Sequence, residues 1–79
     1  MPTTKTTRRE HLQVAAKERR WAALAKREGR DNLREARRFR TMHEGILARE
    51  SFHEAKVDFQ WANKRLKIAR INERAAKKR

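Results

Sequence analysis

The chain has 79 residues, with 23 Lys and Arg against 10 Asp and Glu, for a net charge of +13. With 37% apolar and 42% charged residues, so short a chain makes one small domain with a thin core, which excludes a folded enzyme with a deep pocket. The absence of cysteine rules out disulfides, thiolate metal sites and cysteine nucleophiles. The longest apolar run, at 21–25, is too short for a membrane span or a secretion signal.

Residues 1–7 read as a flexible N-terminal arm. The opening is basic and hydroxyl-rich, as in a transit peptide, but acids begin at Glu10 and argue against one. Beyond it, Ala, Arg, Lys, Leu and Glu dominate, all of them good helix formers. No sustained apolar/polar alternation suggests a strand. The fold class is therefore all-α, a small three-helix bundle or an extended helical hairpin, over a single domain at 8–76 with a basic tail at 77–79. Thr7-Arg8-Arg9-Glu10 fits a capping box that starts a first helix at about 8–28. Gly29-Arg30-Asp31-Asn32 reads as a turn, with Gly29 ending that helix and Asp31 or Asn32 capping a second at about 32–49. Ser51-Phe52-His53-Glu54 reads as a further cap, opening a third helix at about 52–76. A rival reading runs the helix through Gly29, at a cost of about 1 kcal/mol, and makes a hairpin that turns near 45–51.

In the first helix, Arg8/Arg9, Arg19/Arg20 and Lys26/Arg27 share a side with Leu12, Ala15, Ala16, Ala22 and Ala23. Small residues flanked by arginine let a helix approach a phosphate ridge. They also suit close packing against another helix, with arginines snorkelling at the edge. Val14, Trp21, Leu24 and Ala25 point the other way, towards the expected core. The second helix carries Leu33, Ala36, Phe39, Met42, His43, Ile46 and Leu47 as a plain core stripe, His43 being a hydrogen-bonded core histidine. The third is the most informative. Phe52, Ala55, Phe59, Ala62, Leu66 and Ala69 alternate at spacings of three and four, as in a coiled-coil seam. Val57, Trp61, Ile68 and Ile71 form a second apolar face, to be covered within the fold or by a partner. Between them runs an acid-free stripe of Lys56, Gln60, Asn63, Lys67, Arg70, Arg74 and Lys78, about 33 Å long at 1.5 Å per residue. Its cations can follow phosphates, and Gln60 and Asn63 can reach phosphates or base edges.

Charge is segregated along the chain: +8 over residues 1–40, −2 over 41–63 and +7 over 64–79. If the ends fold together they repel, and a polyanion relieves the repulsion. Catalytic and metal chemistry find no support. His11, His43 and His53 lack ligand spacing, no glycine-rich phosphate loop exists, and the sole serine, Ser51, serves as a cap. No cofactor is implied. The composition is similar to that of small helical ribosomal proteins and small basic phage proteins, with no motif that points to a particular family.

Two readings follow. The first is a non-enzymatic nucleic-acid binder, DNA or RNA, using Arg8, Arg9, Arg19, Arg20, Lys26 and Arg27 with Lys56, Gln60, Asn63, Lys67, Arg70, Arg74 and Lys78. The second is a protein-binding adaptor or inhibitor, such as a phage-encoded modulator of a host machine. It would dock through Val57, Trp61, Ile68 and Ile71 while its Arg-rich surface meets an acidic protein. Either fits a cytoplasmic protein or a component of a nucleoprotein particle, as a homo-oligomer or within a larger assembly, and not a membrane protein.

Overall fold

A computed structural model of the chain describes residues 6–78. They form two long helices, α1 (Arg8–Thr41) and α2 (Gly45–Lys77), joined by Met42, His43 and Glu44. No strand occurs among the described residues. Of the two architectures expected, the extended hairpin is the one that forms, a rod with extents of 59 × 23 × 13 Å.

The start of α1 is where the capping pattern places it. Thr7 is extended, its Oγ1 accepts a hydrogen bond from the Glu10 backbone N–H at 3.2 Å, and its hydroxyl donates to Glu10 Oε1 at 3.1 Å. The arm expected at 1–7 falls mostly on residues 1–5, outside those described. Of the tail, Lys77 ends α2, Lys78 is its C-cap, and Arg79 lies outside the described residues.

The other two expected helix starts do not occur. α1 passes through 29–32 without a break, so Asp31 and Asn32 are helix interior. Gly29 serves packing rather than a turn. A methyl group there would lie 2.9 Å from Cζ of Phe59 and 3.0 and 3.1 Å from its two Cε atoms, so the missing Cβ makes room for the ring. Ser51 caps nothing. It is buried within α2, which begins at Gly45, and no side chain caps that helix start.

The chain reverses through His43, whose φ of 60° places it in the left-handed region. Its N–H bonds Arg40 O at 3.1 Å, and the next N–H, of Glu44, bonds Phe39 O at 2.8 Å. This pair of bonds is the Schellman ending of a helix, with histidine at the position glycine usually takes. His43 is thus an exposed turn residue, not a core histidine.

The core is made of alanine. Ala15, Ala22, Gly29 and Ala36 are the buried residues of α1. Ala48, Ala55, Ala62, Ala69 and Ala76 are buried in α2, with Ser51. Both series advance by seven, the repeat that keeps one seam facing a partner helix in a coiled coil. Helix separation follows the size of the side chains at the contact, so methyl groups let the two backbones lie close. The seam expected over Phe52–Ala69 forms through its alanines, while Phe52 stays exposed and Phe59 and Leu66 flank the seam half-buried.

The expected core of large residues is the main point on which the structure differs. Val14, Trp21 and Leu24 are exposed, as are Met42, Ile46 and Leu47, and Leu33 and Phe39 are half-buried. Alanines fill the space between the helices, and a side chain of greater size would force them apart.

Candidate nucleic-acid interface

Labelling each buried alanine position a, and the following residues b to g, assigns every side chain to a side of the rod. Positions d and g of both helices lie on one broad face, and e and b on the opposite one; c and f lie at the margins. Contacts across the seam fix this arrangement. Trp21, Leu24, Ala25 and Glu28 of α1 line one cleft with Asp58, Trp61 and Arg65 of α2. Arg8 and Leu12 line another, on the opposite side, with Glu73, Ala76 and Lys77.

The b positions form the middle of one face. They are Arg9, Ala16, Ala23, Arg30 and Arg37 on α1, and Arg49, Lys56, Asn63, Arg70 and Lys77 on α2. None is acidic and all are exposed. Arg19, Lys26 and Arg40 flank them at e, and Arg20, Arg27, Arg34, Lys67 and Arg74 at f. The one carboxylate at these positions is Glu73. It receives Arg19 Nη2 at 2.6 Å and Arg19 Nε at 3.0 Å, a two-pronged pair exposed to solvent. The hydrogen bond from Arg19 holds the Glu73 carboxyl below its usual value, opposed by desolvation and aided by the charges of Arg19, Lys77 and Arg70. The Arg19 guanidinium is pushed up in return.

Every other acid within the two helices lies at c, d or g, on the opposite side or its margin, and there the g positions carry no cation. A row of polar pairs at d closes that flank. His11 Nδ1 lies 2.8 Å from Asn72 Oδ1, an oxygen that can only accept, so Nδ1 carries the proton. Asn72 in turn donates to Ile68 O at 2.9 Å. Arg65 donates to both Glu18 carboxylate oxygens at 3.1 and 3.3 Å, and Asn32 Nδ2 donates to Asp58 Oδ2 at 2.8 Å.

The two basic stripes read separately from the sequence therefore lie side by side. Arg9, Arg19, Arg20, Lys26 and Arg27 from α1 share a face with Lys56, Gln60, Asn63, Lys67, Arg70 and Arg74 from α2. Asn63, Lys67, Arg70 and Arg74 line a shallow groove of about 380 Å³ along α2. Ala16 and Ala23 lie exposed among the arginines, whereas Ala15 and Ala22 belong to the seam. Two of the expected residues stand apart: Arg8 is at the open end of the seam, and Lys78 is at the margin of the other face. Sequence reasoning left out Arg30, Arg34, Arg37, Arg40, Arg49 and Lys77. The seven-residue alanine spacing would have found them, because it fixes which positions are b, e and f.

Of the expected partner-binding set, Trp61 and Ile68 fall on the opposite side, where Val14 and Trp21 join them from α1. Val57 and Leu24 lie at its margin, and Ile71 stands apart, lining the groove with Lys67, Arg70 and Arg74. Trp21 and Trp61 are 52% and 50% exposed and border a cleft of about 230 Å³. Lys64 Nζ and Arg65 Cζ stand 5.3 and 5.5 Å from the Trp61 ring centre, within cation–π range.

Fold and surface together define an alanine-seamed helical hairpin with one basic and one tryptophan-bearing face. No protein-family model, curated protein or solved structure matches the chain. No helix among the described residues is long and apolar enough to cross a membrane.

Proposed function

We propose that this protein is a non-enzymatic nucleic-acid binder that lays its basic face along phosphate backbones. The observation that carries the reading is the sorting of charge by face: cations at b, e and f of both helices, with Glu73 as the sole acid among them. A solvated helical surface ordinarily mixes signs, because opposite charges three or four residues apart support the helix. Like charges spread over one face cost stability in isolation, and a polyanion removes that cost.

The shape of the rod sets the mode of contact. At 23 Å across, the face is too broad for a major groove about 12 Å wide, so it rides on the phosphate ridges. Its 59 Å length matches about 17 base pairs at 3.4 Å each. Contacts of this kind position a protein without reading sequence. Gln60 and Asn63 are the uncharged side chains of the expected set suited to base edges.

The adaptor reading, with docking through Val57, Trp61, Ile68 and Ile71 and an acidic partner on the arginines, asks one partner to reach two opposite faces. Nucleic acid needs only one of them.

The test is fluorescence anisotropy with labelled duplex DNA, duplex RNA and single strands of unrelated sequence, titrated over a range of salt. Affinity falls linearly on a log–log plot, with a slope near −0.9 per phosphate neutralised on duplex DNA. Lys56→Glu and Arg70→Glu each flatten that slope by about one or more, and Lys64→Glu, off the basic face, leaves it nearly unchanged. No binding at low salt, or equal effects of the three variants, would refute the reading.

A further inference from the structure

We infer that the tryptophan face is covered by a second copy of this chain, turned end for end about a two-fold axis to make an antiparallel four-helix bundle. The hairpin alone has a core of alanine, and no large side chain is fully buried in it. Its large apolar groups fall in two bands, Leu12, Leu33, Phe52, Phe59 and Leu66 at e and Val14, Trp21, Phe39, Leu47, Trp61 and Ile68 at d and g. Both tryptophans belong to the second, and the bundle's core would form there.

Charge selects the occupant. In a chain of net charge +13, two copies repel wherever basic surface meets basic surface. The g positions hold no cation, so this face can approach a copy of itself. It is also polarised along its length. Towards the turn it carries Glu28, Glu35, Glu54 and Asp58, and towards the open end Glu18 paired with Arg65, with Lys17 and Lys64 at the margin. A two-fold axis perpendicular to the rod sets the acidic half of each copy over the charge-paired, lysine-edged half of the other. A parallel arrangement would set acid on acid.

The position of the tryptophans fits the same axis. Trp21 and Trp61 lie near mid-length of α1 and α2 and border one cleft. A central axis therefore stacks the two clefts with full overlap of the rods, aromatic anchors at the centre and charges at the rim, as stable interfaces are built. The polar groups at d are already paired within the hairpin, so covering them separates no charge from its partner. The footprint, up to 59 × 23 Å, exceeds the roughly 800 Å² per partner of a standard stable interface.

The test is sedimentation equilibrium on the full chain after nuclease treatment and a high-salt wash, so that carried nucleic acid plays no part. It therefore succeeds or fails independently of the binding assay. The expected mass is twice the 9.5 kDa of one chain, halved by Trp61→Glu. Because that variant can also unfold the hairpin, a second measurement uses the absence of native cysteine. Ala25→Cys, beside the cleft, is joined to its copy by a short bismaleimide, and Ala23→Cys, at the same height on the basic face, is not. A single-chain mass with full helical circular dichroism, or cross-linking through position 23 instead of 25, would overturn the proposal.

Discussion

Replacing Gly29 by alanine tests the packing of the seam where Phe59 lies against the bare backbone. In an exposed helix interior the change stabilises, because alanine is better than glycine by about 1 kcal/mol. Here the new methyl group would meet three atoms of the Phe59 ring at 2.9–3.1 Å. All three are at the tip of the ring, so spinning it about its own axis brings no relief and the whole ring must withdraw. Overpacking of this kind costs about 1–3 kcal/mol, so the net effect is destabilisation by up to about 2 kcal/mol after the propensity gain. The sign depends on Phe59. In a Phe59→Ala background the same substitution finds open space and stabilises by about 1 kcal/mol. Urea unfolding followed by circular dichroism, at one fixed protein concentration because association adds to stability, gives all four corners of the cycle. A Gly29→Ala variant that is stabilised equally with and without Phe59 would refute the argument.

Three further outcomes are expected. His43→Gly relieves a left-handed residue that costs roughly 1–2 kcal/mol, less the entropy glycine adds to the unfolded chain; a rise in the urea midpoint checks it. Ala62→Leu inserts a large side chain where Ala62 is wholly buried, destabilises by at least about 1–3 kcal/mol, and lowers the thermal midpoint of the helical signal. The hydrogen bond from Arg19 holds the Glu73 carboxyl below its usual 4.5, so the pair's contribution is complete above the unfolded value and is lost as pH falls through the lower folded one. Urea midpoints of wild type and Glu73→Gln should therefore converge in acid, while at neutral pH the variant frees Arg19 and steepens the salt dependence of nucleic-acid binding.

The helical class was legible because propensity and the Thr7–Glu10 cap are local properties. The acid-free stripe of α2 was legible because spacing alone puts Lys56, Asn63, Lys67, Arg70 and Arg74 on one side of a helix. The hairpin was harder to see. Gly29-Arg30-Asp31-Asn32 has the composition of a turn, and Gly29 acquires its packing role only once Phe59 of α2 lies against it. Asn32 likewise reads as a cap until Asp58 is brought to its amide. Large apolar residues were assigned to the core by size, yet the alanines at 15, 22, 36, 48, 55, 62, 69 and 76 occupy it and leave Trp21 and Trp61 outside. That spacing of seven was visible in the sequence. It runs through Gly29 without a change of phase, which marks an unbroken helix. His43 was misplaced because its backbone sign is set by how the two helices close.

The opposition of the two faces has a consequence for valency. A surface that sits on one side of a rod allows a single molecule to coat one strand of polyanion. Two such rods joined through their other sides carry their basic planes outward and back to back. On the proposed binding mode, such a unit would hold two lengths of nucleic acid, separated by the thickness of two hairpins, and would act as a bridge between segments rather than as a sheath along one.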